Sequence, residues 1–301
     1  MSDILILGAN GQVGWELQRA LAPLGRLIVC DRQRGNLEDL AGLHALVSAK
    51  RPSIIVNAAA YTAVDKAEAD IDRARRVNAE AVGLLAELAG ELDAWLVHYS
   101  TDYVFDGSGS EPFREDDPTG PLSVYGQTKL EGEQAILRSG CRHLIFRTSW
   151  VYAARGANFA KTMLRLAADR DELRVIDDQV GAPTSAELIA DVTAQALSQL
   201  RLRHDAPSLA GIYHLTADGA VSWHGYACFV IEQAAHLGFS LRTLPGRVLP
   251  IPTREYPLPA TRPHNSRLDT HKLRTNFGLA LPAWETHLKR MLVELRGEKL
   301  A

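Results

Sequence analysis

Apolar residues in the first half of the chain fall into short unbroken runs, separated by longer stretches with helical spacing. Ile4 to Leu7, Leu27 to Cys30, Ile54 to Asn57, Trp95 to Ser100 and His143 to Arg147 read as strands. Val13 to Leu24, Leu37 to Lys50, Ile71 to Leu92 and Ser123 to Leu137 read as helices. Unbroken apolar runs mark strands covered on both faces. Their alternation with helices implies right-handed crossovers and a doubly wound parallel α/β sheet. A Rossmann domain is therefore expected over residues 1–150, with a smaller lobe mainly over residues 151–301.

The second half is less regular. Ala186 to Leu200 reads as a helix expected to pack back on the first domain, and Ile212 to Leu215 as a strand. Between residues 240 and 265 stand six prolines (Pro245, Pro250, Pro252, Pro257, Pro259 and Pro263). That density excludes a central helix or strand and predicts an extended wrap in the smaller lobe. Pro282 opens a final helix to about Leu295.

Composition changes this picture little. The 301 residues are 46% hydrophobic and 23% charged, as in ordinary globular proteins. With 33 Lys and Arg against 36 Asp and Glu, the net charge of −3 disfavours a nucleic-acid partner. No apolar run approaches the length that spans a bilayer, so no membrane partner is expected. The N-terminus shows no basic region ahead of an apolar stretch, and no signal peptide is expected. Cys30, Cys141 and Cys228 are odd in number and widely spaced, which predicts free thiols in a cytoplasmic protein.

The first chemical signal is Gly8-Ala-Asn10-Gly11-Gln12-Val13-Gly14, at the turn from the first strand to the first helix. Glycines there let the backbone approach a pyrophosphate, and the helix N-terminus offers free N–H groups. Asp31 closes the second strand, where an acid takes adenosine ribose hydroxyls and favours NADH. Its neighbour Arg32 suits a 2′-phosphate, so NADH and NADPH both remain open. Asn36 and Leu37 are placed to border the adenine. Asn57-Ala-Ala-Ala60-Tyr61-Thr62 ends the third strand with small residues over which a cofactor can cross closely.

Tyr125 and Lys129, four apart on a helix, share one face. An ammonium beside a phenol is expected to lower the phenol's pKa and ready it for proton transfer at a carbonyl oxygen. Thr101, at the end of the fourth strand, can hydrogen-bond the same oxygen.

Together GANGQVG, NAAAYTAVDKAE, STDYVFDG, YGQTK, FRTSWVY and DQVGAPT resemble the extended short-chain dehydrogenase/reductase superfamily. Within it the chain resembles the dTDP-4-dehydrorhamnose reductase family, from about Ile4 to the last helix and including Arg262 to Leu268. The resemblance implies that Tyr125, Lys129 and Thr101 are catalytic. It places Gly11, Gln12, Val13, Asp31, Asn36, Leu37, Ala60, Tyr61 and Thr62 at the cofactor, and Asp102 and Trp150 at the sugar. The implied reaction is reduction of the C4 ketone of dTDP-4-dehydro-β-L-rhamnose by NADPH or NADH. The product sugar would serve cell-envelope polysaccharide. Residues 151–301 become a nucleotide-sugar lobe, with Asn158, Arg262 and Arg267 as contacts to dTDP. The resemblance also implies a homodimer linked by Mg2+, with Glu16, Glu187 and Glu285 at the matching positions.

Four other readings compete. A 4,6-dehydratase of this fold needs Thr-Asp-Glu where the chain has Thr101-Asp102-Tyr103, and a C4 epimerase carries Ser-Ser-Ala there. A regulatory, non-catalytic subunit of methionine adenosyltransferase resembles the same family and binds NADP without turning over sugar. A metal hydrolase lacks a His or Cys cluster, because the ten histidines are scattered.

Overall fold

The structure, a computed structural model, describes residues 3–298. Six strands form one parallel sheet: β1 (Asp3–Leu7), β2 (Arg26–Cys30), β3 (Ile54–Asn57), β4 (Trp95–Thr101), β5 (Arg142–Thr148) and β6 (Gly211–His214). Their order is β6-β5-β4-β3-β1-β2, so β2 and β3 flank β1 on opposite sides. The strand order reverses there, and open α/β sheets bind ligands outside the carboxyl ends of the strands at that crevice.

Successive strand residues point to opposite faces. Ile4, Ile6, Val56 and Val97 enter one core, while Leu5, Leu7, Ile55 and Leu96 enter the other. On one side lie α1 (Gln12–Leu21), α5 (Phe159–Asp169), α6 (Ala186–Leu202), α7 (Trp223–His236) and α8 (Trp284–Glu298). On the other lie α2 (Leu40–Lys50), α3 (Ala81–Glu91) and α4 (Val124–Ser139). The second half returns to this core twice. It supplies β6, and α6 packs against α1.

The expected helix from Ile71 to Leu92 is broken. Ile71–Arg75 is α-helical, Arg76–Glu80 widens into a π turn, and α3 follows. Asn78 lies in the widened turn. Its amide accepts the Tyr61 N–H at 2.9 Å and donates to the Tyr61 carbonyl at 3.1 Å and to Thr128 Oγ1 at 3.2 Å. Such bulges occur frequently at functional sites. This one ties the end of β3 to α4.

The proline-rich segment contributes a short strand, Val248–Ile251, paired in parallel with Leu173–Ile176 in a separate two-stranded sheet. Pro250 is tolerated there because the strand has one neighbour. No described helix is long and apolar enough to cross a membrane.

Helix α4 is anchored by charge. Glu133 on α4 and Arg147 on β5 are both buried, with Arg147 Nη2 at 2.7 Å and Nε at 3.0 Å from the carboxylate. Removing one partner strands the other charge in the interior, which costs about 3–5 kcal/mol. The variant Glu133→Ala is expected to lose stability on that scale in urea unfolding. A loss below about 1 kcal/mol would contradict a structural role for the pair.

Candidate active site

A cavity of about 1010 Å³ runs along the carboxyl edge of the sheet. Pairing in register sets Leu7 beside both Cys30 and Asn57, and Thr101 beside Thr148, so the turns leaving these strands share one rim. Gly8, Asn10, Gly11, Gln12 and Val13 line it. Gly8 has φ +81°, and a Cβ there would lie 2.6 Å from the Ala59 nitrogen. Gly14 is not a lining residue; a Cβ on it would lie 2.1 Å from the Gly8 carbonyl oxygen, so it lets the helix pack on the turn. Gly11 caps α1 with no side-chain hydrogen bond. A bare helix N-terminus over a glycine turn fits a dinucleotide's pyrophosphate. Asn36, Leu37, Ala60, Tyr61 and Thr62 also line the cavity.

Thr101, Asp102, Tyr125 and Lys129 converge further along the rim. Ser123 caps α4 by accepting the Gly126 N–H at 3.2 Å. A Cβ on Gly126 would lie 2.2 Å from the Tyr103 carbonyl oxygen, so this glycine lets α4 sit against the loop after β4. Tyr125 is thereby brought to the same cavity wall as Thr101.

Burial pushes the Tyr125 phenol up to about 12, against a smaller opposing effect of the Thr101 hydrogen bond. Burial pushes Lys129 down to about 8. The expected lowering of Tyr125 by Lys129 is therefore corrected. The Lys129 amine is engaged elsewhere, 2.6 Å from the Tyr99 carbonyl oxygen and 3.0 Å from His98 Nε2. His98 is held well below the usual histidine range by burial, and its Nδ1 lies 3.2 Å from Asn57 Nδ2.

Trp150 lines the cavity with φ +48° and stacks on Trp223 of α7 at 3.5 Å between ring centroids. The sequence reading missed Trp223, Tyr99, Ser100 and Thr148, which all line the cavity. Ser100 Oγ, Thr148 Oγ1 and Asp102 Oδ2 are buried without a hydrogen-bond partner among the described residues. Hydroxyls at two adjacent strand ends, in STDY and FRTSW, are the signal by which Ser100 and Thr148 could have been found.

Several expected residues stand elsewhere. Asp31 is absent from the cavity lining, and its Oδ1 accepts the Gln33 and Arg34 N–H groups of the short turn at 3.0 and 3.2 Å. Asn158 caps α5 through the Lys161 N–H at 3.1 Å and donates to the Ala153 carbonyl at 2.7 Å. Arg262 is paired with Asp65 at 2.7 Å, and Arg267 donates to the Ser110 carbonyl at 3.1 Å. Neither arginine lines the cavity. No group of three His, Cys, Asp or Glu among the described residues could hold a metal ion. Glu16 faces Arg19 and Glu187 faces Arg290, each at 3.5 Å, so two of the three acids expected at Mg2+, with Glu285, are already beside a cation. The residues of one chain do not fit the ion.

Glycine turn, tyrosine–lysine helix and strand-end threonine on a parallel sheet define a Rossmann-type reductase of the short-chain dehydrogenase class. The chain belongs to the family described as RmlD substrate binding domain, whose model matches residues 1–296. It is 54% identical over 297 residues to a dTDP-4-dehydrorhamnose reductase of Shigella flexneri, covering 97% of this chain and 98% of that one. A solved dTDP-4-dehydrorhamnose reductase from Clostridium acetobutylicum superposes with a TM-score of 0.88 at 36% identity, over 98% of this chain and 99% of that one. One from Bacillus anthracis, solved in complex with NADP, has a TM-score of 0.86 at 34% identity, over 97% and 99%.

Desolvation pushes the buried Asp102 carboxyl up to about 6 from 3.8. Below 3.8 both folded and unfolded chains hold this proton. Between 3.8 and about 6 only the folded chain does, so stability falls as pH rises through that window and levels off above it. The shift corresponds to about 3 kcal/mol. Urea unfolding from pH 4 to 7 is expected to show a flatter profile for Asp102→Asn than for the unaltered chain; superimposable profiles would contradict this.

Proposed function

We propose that the protein reduces the C4 ketone of dTDP-4-dehydro-β-L-rhamnose to dTDP-β-L-rhamnose with NADPH or NADH. The observation that carries this reading is the convergence of Tyr125, Lys129 and Thr101 on a cavity that also contains the glycine turn. The relatives' identity over nearly the whole chain supports the sugar assignment.

A bound NADPH or NADH supplies the hydride. Tyr125, kept in its phenol form by burial, holds the proton that the C4 oxygen needs as charge develops on it. Thr101 orients that oxygen. Lys129 shares a helix face with Tyr125 and carries a cation at neutral pH, which offsets the phenolate left after proton transfer. Gly8, Asn10, Gly11, Gln12 and Val13 hold the pyrophosphate, and Ala60, Tyr61 and Thr62 border the cofactor. Asp102, Ser100 and Thr148 offer unpaired polar atoms to sugar hydroxyls, and Trp150 on Trp223 gives the sugar a wall.

Residues 151–301 contribute the nucleotide-sugar side of the cavity through Val151, Gly156 and Trp223. The reading includes a cytoplasmic enzyme acting as a homodimer, which light scattering tests. The regulatory-subunit, dehydratase and epimerase readings have no observation in their favour.

Loss of NAD(P)H absorbance at 340 nm with the keto-sugar tests the proposal. The variant Tyr125→Phe is expected to lose at least about a hundredfold in turnover while binding the cofactor nearly as before. Full activity in that variant would overturn the mechanism. Absence of oxidation in the unaltered enzyme, with cofactor bound, would overturn the substrate.

A further inference from the structure

Lys129 ends a buried row of polar groups. Its Nζ stands 3.0 Å from His98 Nε2, and His98 Nδ1 stands 3.2 Å from Asn57 Nδ2. The row crosses from α4 to β4 to β3, because His98 and Asn57 pair in register on adjacent strands. His98 is buried and absent from the cavity lining, so it acts on the chemistry only through another residue.

The hydrogen-bond partners fix the state of the imidazole. The Ala59 N–H donates to Asn57 Oδ1 at 3.2 Å. A backbone N–H cannot become an acceptor, so turning the Asn57 amide round would set two donors together. Its Nδ2 therefore faces His98, and His98 Nδ1 must accept. Burial holds His98 well below the usual histidine range, so the ring is neutral and carries its one proton on Nε2. That N–H points at Lys129.

An amine at Lys129 accepts this N–H with its lone pair and gives one of its own hydrogens to the Tyr99 carbonyl, 2.6 Å away. An ammonium has no lone pair, and at 3.0 Å it sets donor against donor. We propose that His98, keyed by Asn57, is a positioning residue whose Nε2–H holds the Lys129 amine and lowers the pH up to which that amine stays charged. This inference rests on the catalytic reading of Lys129 given above.

Burial pushes Lys129 the same way, down to about 8, and Glu133 on the next turn of α4 opposes it. Glu133 is itself paired with Arg147 of β5. On the helical segments packed against α4, Asp65 is paired with Arg262, Arg75 with Glu131 and Arg76 with Glu80, while Glu68 accepts the Val124 N–H. Lys66, Asp102 and Tyr125 line the same cavity as Lys129. Asp102 is raised to about 6 and Tyr125 to about 12, so loss of the Lys129 charge falls between their titrations. In the proposed mechanism the ammonium offsets the phenolate, so activity falls as pH rises through the Lys129 pKa. The imidazole keeps that fall close to neutrality.

Nitrogen NMR of the protein carrying isotope-labelled histidine tests the tautomer, with the His98 signals identified by their loss in His98→Gln. A proton on Nε2 and a bare Nδ1 are expected at neutral pH. A proton on Nδ1, or a cationic ring, would overturn the inference. The Lys129 pKa is read twice, from carbon NMR titration of the lysine Cε and from the alkaline limb of kcat/KM with the keto-sugar. In His98→Gln the new amide can turn its oxygen to the ammonium, and the Lys129 pKa is expected to rise by about one unit, a tenfold change in its equilibrium. Asn57→Asp places a carboxylate that accepts from Nδ1–H, and is expected to move the His98 proton to Nδ1 and raise the Lys129 pKa likewise. A Lys129 pKa unmoved or lowered in both variants would overturn the inference. If the unaltered enzyme binds the cofactor yet leaves the keto-sugar unreduced, the proposed function falls, and the two NMR readouts still decide for or against the role of His98.

Discussion

The active site depends on the seating of α4, and that seating turns on the buried contact of Glu133 with Arg147. A buried ion pair is a poor source of stability, since desolvation opposes its attraction. It is a strong source of position, because neither charge tolerates another arrangement in a dry interior. The pair ties the helix bearing Tyr125 and Lys129 to the strand next to the one bearing Thr101. The Gly126 contact with the Tyr103 carbonyl closes the gap on the other side. Proton donor and strand-end hydroxyl are thus brought together by groups that touch no substrate.

The same close seating excludes water, and exclusion sets the chemistry. Tyr125 is raised, Lys129 lowered and Asp102 raised, and burial is the largest cause in all three. Each group is pushed toward its neutral form, as expected in a medium of low dielectric. A reductase acting on a ketone needs a proton kept until the oxygen becomes basic. A tyrosine held as phenol meets that need better than one already ionised.

Much of this was legible in the chain. Five of the six sheet strands are the unbroken apolar runs of the first half, because strands covered on both faces leave no alternation to confuse with a surface element. Tyr125 and Lys129 were legible from their spacing, since a helix is regular enough for spacing to imply a shared face. What spacing does not carry is direction. Asp31 sits at the expected strand end, yet its Oδ1 accepts two turn amides, a local bond that short polar side chains commonly make. Asn158 is a helix cap for the same reason. Arg262 found Asp65, a partner far away in the chain, and no local pattern announces such a pair. The π turn at Asn78 arises from tertiary hydrogen bonds to Tyr61 and Thr128, which a helical run of Ala, Leu and Glu conceals.

The central claim is that hydride reaches the sugar carbon whose oxygen takes the Tyr125 proton. The direct measurement is turnover of dTDP-4-dehydro-L-rhamnose with nicotinamide cofactor deuterated at C4 on the transferred face, followed by NMR of the product. One deuterium is expected, at C4 of dTDP-β-L-rhamnose. Deuterium at another carbon, or a product without deuterium, would contradict it.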